Sequence, residues 1–101
     1  MANGYTKVSE ITIQDLANYL RITELPSSDT QLLTSILEAA KNFVLSYTGQ
    51  TVEAADSFPE FTIAVYVLSE DMYDKRTFSV DKTEANKVVE SILGLHSINL
   101  L

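Results

Sequence analysis

Between Phe58 and Arg76 the chain repeats apolar residues at helical spacing on two sides at once. Phe61, Ala64, Val65, Leu68 and Met72 make one stripe, and Ile63, Tyr66, Val67 and Tyr73 make a second on the opposite side. A helix lying on a domain surface needs a single apolar stripe. Two stripes predict a helix covered on both sides, at the centre of a core or between a core and a neighbour. The run Thr62-Ile63-Ala64-Val65-Tyr66-Val67 is rich in β-branched residues and has strand propensity. The periodicity nevertheless continues through Leu68 and Met72, past the usual length of a strand, and favours helix. Pro59 falls in the first turn, where its missing N–H costs nothing, and Lys75 and Arg76 suit the negative end of the helix dipole.

The remaining segments also read as helices. Thr12 is an N-cap with Asp15 three residues on, followed by Ile13, Leu16, Ala17 and Leu20 on one face of a short helix to about Arg21. Pro26 breaks the chain in the loop that follows. Ser28 and Gln31 have the form of a capping box for a long second helix. Its apolar arc is Leu32, Leu33, Ile36, Leu37, Ala40, Phe43, Val44 and Tyr47, and Gly49 suits the left-handed position that ends it. Leu45 alone is apolar on the polar side. Residues 50–57 read as an acidic loop and Thr77 to Val80 as a connector. Asp81-Lys82-Thr83-Glu84 caps a last helix with Ala85, Val88, Val89, Ile92 and Leu93 on its apolar face and Gly94 at its end. The tail Leu95-His96-Ser97-Ile98-Asn99-Leu100-Leu101 is apolar to its last residue, whereas chain ends are usually polar. It either folds back on its own core or docks on another subunit. The expected fold is all-α: a small bundle of four to five helices, with long central second and third helices and an extended apolar C-terminal tail. Residues 1–10 are expected as a flexible arm and 11–101 as one domain.

Composition removes most chemistries. With no cysteine and one histidine, His96, neither thiolate catalysis nor a zinc site has its ligands. The three glycines, Gly4, Gly49 and Gly94, are too scattered for a phosphate-binding loop. Glu70 and Asp74 share a helix face, with Asp71 a quarter-turn round. They read as the solvated end of a helix paired with Lys75 and Arg76 rather than as acid–base or metal groups. No enzyme and no cofactor is expected. The net charge of −7 opposes a grip on nucleic-acid phosphates. The opening residues Met1 to Lys7 lack the apolar core of a signal peptide, and no apolar run approaches a bilayer span, so an intracellular product with no membrane partner is expected.

In order along the chain, Ile11-Thr12-Ile13-Gln14-Asp15-Leu16 with Tyr19-Leu20-Arg21-Ile22, then Leu32-Leu33 with Ala39-Ala40-Lys41, then Tyr47-Thr48-Gly49, form a recognisable series. It continues through Pro59, the apolar run to Leu68, Met72-Tyr73-Asp74-Lys75-Arg76, and the close Ile92-Leu93-Gly94 to Leu101. From Ile11 to the end the chain resembles the small phage head–tail connector, or adaptor, proteins associated with DNA packaging. It departs from them at Leu25-Pro26-Ser27-Ser28-Asp29, where a more acidic run is expected, and at Ser69-Glu70-Asp71, where the helix turns polar early. The resemblance implies a structural virion protein at the head–tail interface, assembled in the cytoplasm of a bacterial host. It implies a ring, commonly of about twelve subunits, docked beneath the portal protein. Such a ring extends the channel for double-stranded DNA, which passes without sequence-specific binding, and carries a stopper or tail-completion protein. Subunit or portal contacts are expected at Leu45, Ile63, Tyr66, Val67, Tyr73, Arg76, Leu95, Ile98, Leu100 and Leu101. The competing expectation, from charge alone, is a small acidic cytosolic regulator that binds a basic partner.

Overall fold

A computed structural model describes residues 6–76 and 86–94, with the side chains of Asn86 and Val88 set aside. The expected connector at Thr77 to Val80, the cap at Asp81 to Glu84, Ala85 and the tail from Leu95 lie outside these residues. Helices α1 (Ile13–Tyr19), α2 (Ser27–Thr48), α3 (Val52–Ala55), α4 (Pro59–Lys75) and α5 (Asn86–Gly94) follow a 3-10 turn at Val8–Glu10, and no strand occurs among the described residues. The bundle is all-α, as the periodicity predicts.

Helix α4 is its axis. It packs along α2 and also meets α5, α1 and the 3-10 turn. The inner stripe Phe61, Ala64, Val65, Leu68 and Met72 is wholly buried, together with Leu33, Ile36, Ala40 and Val44 of α2, Leu16 and Ala17 of α1, and Val89 and Leu93 of α5. Burial of the valine, leucine, isoleucine, phenylalanine and methionine side chains among these stabilises by about 1.5–3 kcal/mol each, which makes this shared interior the main force holding the helices together.

Local chemistry sets the helix ends. In α1, Thr12 Oγ1 accepts from Asp15 N and Asp15 Oδ2 accepts from Thr12 N, both at 3.0 Å, a reciprocal capping box. The helix stops at Tyr19, two residues before the expected end, because Arg21 turns left-handed at φ 64°. Ile22 N then donates to Ala17 O at 2.9 Å and Arg21 N to Asn18 O at 3.1 Å, which satisfies the terminal carbonyls. The capping box expected at Ser28 and Gln31 does not form. Helix α2 begins two residues earlier, with Pro26 rather than Ser28 at the cap position, because the Pro26 carbonyl accepts from both Asp29 N and Thr30 N at 3.0 Å. Gly49, at φ 73° and ψ 10°, ends α2 in the left-handed conformation that suits glycine.

The segment expected as a loop at 50–57 contains α3, a single turn with Thr51 Oγ1 accepting from Ala54 N at 3.1 Å. One turn is too short to show a period, so the only trace in sequence is the cap. The last residues of the expected arm pack as well: Val8 is buried, and Ser9 donates from N (3.0 Å) and Oγ (2.6 Å) to the two carboxylate oxygens of Asp56. Thr62 Oγ1 donates to the carbonyl of Thr6.

Candidate interaction surface

The outer side of α4 is where the fold leaves apolar surface in water. Ile63 is 53% exposed, the most exposed large apolar side chain among the described residues, and Tyr66 and Val67 are half-buried. These three lie within one turn of each other, so they form a continuous patch. Helix α1 adds Tyr19, 41% exposed, whose ring stacks on Tyr66 with centroids 4.8 Å apart and planes 13° from parallel. Offset stacking is a favoured geometry for two quadrupolar rings. Tyr19 points its hydroxyl at Glu70 Oε1, at a long 3.5 Å. Burial raises the Tyr19 pKa, and the Glu70 carboxylate raises it further. Tyr66 is raised for the same first reason, with the charge of Asp15 adding to it. Two carboxylates therefore flank the stacked pair.

A second cluster closes the far end of α4. Tyr73 donates to Asp29 Oδ2 of α2 at 3.2 Å, joining the C-terminal end of α4 to the first turn of α2, so the two helices run antiparallel. The Arg76 guanidinium lies 4.4 Å from the Tyr73 ring centre, a cation–π contact. Arg76 is left-handed, at φ 55° and ψ 45°, and that turn brings the arginine back over the preceding tyrosine. Lys75 pairs with Asp71 at 3.0 Å, an exposed i,i+4 contact worth a few tenths of a kcal/mol.

Of the expected contact residues, the fold thus brings Ile63, Tyr66 and Val67 onto one face and Tyr73 with Arg76 onto the end of the same helix. Leu45 belongs to α2 and packs, half-buried, against the core. Leu95, Ile98, Leu100 and Leu101 lie outside the described residues. Sequence reasoning missed Tyr19, although it falls off the Ile13–Leu16–Ala17–Leu20 stripe and so had to point outward. Tyr47, expected on the apolar arc of α2, is instead exposed at the end of that helix and stacks on Phe43 at 5.6 Å, and exposed Val52 was also missed. Among the described residues, no group of three or more histidines and carboxylates is placed to hold a metal ion, and no helix is long and apolar enough to cross a membrane.

A helical bundle with aromatic surface and acidic margins has the form of an interaction module, and the family comparison says which kind. The model of the phage gp6-like head–tail connector proteins matches residues 10–99. The chain belongs to this family. As a head–tail connector it is a structural virion component that assembles with other phage head and tail proteins. No curated protein and no solved structure matches the chain significantly.

Proposed function

We propose that this connector forms a ring beneath the portal, extends the DNA channel and offers its lower face to a stopper or tail-completion protein. The observation that carries this is the division of α4, whose inner stripe is wholly buried while Ile63 stays 53% exposed beside half-buried Tyr66 and Val67. A small subunit with a patch of this kind is suited to contact with neighbouring proteins of an assembly. In this reading residues 11–101 form the connector domain, and Leu45, Tyr73, Arg76 and the tail residues Leu95, Ile98, Leu100 and Leu101 join the contacts made on assembly. The charge of −7 supports a channel through which DNA slides without being held. The subunit assembles on its portal template in the host cytoplasm and remains in the virion.

The test is light scattering coupled to size exclusion, with and without purified portal particles. A defined multimer on the portal is expected. A chain that remains monomeric in both conditions and never co-migrates with portal would overturn the proposal.

A further inference from the structure

The described residues contain one filled arginine–tyrosine–carboxylate arrangement: Arg76 lies over the Tyr73 ring, and the Tyr73 hydroxyl donates to Asp29. The face of α4 and α1 repeats two of its three parts. Tyr19 presents an exposed ring, backed by Tyr66, and its hydroxyl points at the exposed carboxylate of Glu70. Among the described residues, no ion pair involves Glu70 or Asp15, and the cation–π contact is the one at Tyr73.

We propose that the Tyr19–Tyr66 stack and Glu70 dock an arginine-bearing segment of a partner protein, with Ile63 and Val67 receiving an aliphatic side chain beside that arginine. Charge complementarity selects the occupant. The two carboxylates flanking the rings favour a cation, and the planar guanidinium can lie on a tyrosine face while forking two N–H groups to a carboxylate. An ammonium does neither as well, which favours arginine over lysine. The stack also holds both rings in place before binding, so little side-chain freedom remains to be lost on docking. This inference goes beyond the ring reading and does not depend on it, because any arginine-bearing partner of the head or tail suffices.

The full chain, labelled for NMR, is titrated with the capped peptide Gly-Leu-Arg-Leu-Gly and with its lysine and citrulline counterparts. Saturable shifts are expected at Tyr19, Ile63, Tyr66 and Glu70. Binding should weaken about fivefold with citrulline, which keeps the shape and loses the charge, and by a similar factor in Glu70→Gln. Glu70 is exposed, so that variant keeps the fold. Shifts elsewhere, no shifts, equal binding of citrulline, or an unchanged Glu70→Gln variant would each overturn the proposal. So would shifts at the same residues on dilution without peptide, which would make a second copy the occupant. Portal co-migration scores the ring separately, so either proposal can fail alone.

Discussion

Leu68 and Ile63 lie on opposite sides of one helix, and truncating each to alanine measures whether the outer stripe belongs to the monomer. Leu68 is fully buried between α4 and the rest of the core. Leu68→Ala loses the transfer energy of the side chain and leaves a cavity, a combined cost of about 3–4 kcal/mol. Ile63 is 53% exposed. The methyl and methylene groups lost in Ile63→Ala carry ~0.8 kcal/mol each when fully buried, about 2.4 kcal/mol together, and half-exposure reduces this to about 1.2 kcal/mol. Alanine returns about 0.4 kcal/mol of helix propensity, which leaves a net loss of about 0.8 kcal/mol. With a urea slope of about 1.5 kcal/mol/M, the midpoint should fall by about 2–2.7 M for Leu68→Ala and by about 0.5 M for Ile63→Ala. Urea unfolding followed by circular dichroism, at dilutions where the chain is monomeric, reads both. An Ile63→Ala loss above about 2 kcal/mol would show that the outer stripe is closed within the subunit, and would refute the division of α4 into a core face and a contact face.

Thr12→Ala removes the side chain that caps α1 and should cost about 1 kcal/mol of unfolding free energy in the same assay, less if Asp15 alone supports the turn. Arg21→Gly relieves a left-handed, β-carbon-bearing residue at φ 64° and should raise the melting temperature, by an amount corresponding to about 0.5–1 kcal/mol. Tyr19 and Tyr66 should ionise above the ordinary 10.0, Tyr19 less so in Glu70→Gln, as followed by phenolate absorbance. The sign for stability follows: below about pH 10 the contribution of these tyrosines is full and constant, and above it the unfolded chain releases the protons first, so the native state loses stability as pH rises through the native pKa values.

The helical class, the inner stripe of α4 and most helix ends are legible in the residue order, because these rest on interactions within a few residues. Periodicity places Phe61, Leu68 and Met72 on one face wherever the helix lies, Gly49 can adopt its positive φ without strain, and Thr12 meets Asp15 one turn away. The ordered series from Ile11 onward also carried the family. Tertiary structure decided the rest, where the partners are distant in sequence. The second stripe of α4 looked uniform, yet only packing could leave Ile63 in water while Tyr66 met Tyr19, forty-seven residues earlier, in a stack at 4.8 Å. The pairing of Tyr73 with Asp29 and of Ser9 with Asp56 likewise depends on how helices are laid together. Polar residues with unremarkable neighbours, Thr48, Thr62 and Ser69, became buried for the same reason. Thr48 meets its need locally, with Oγ1 donating to the Val44 carbonyl at 2.8 Å. A sequence states which side of a helix is apolar; what covers that side is set by the rest of the fold and, for a connector, by its neighbours.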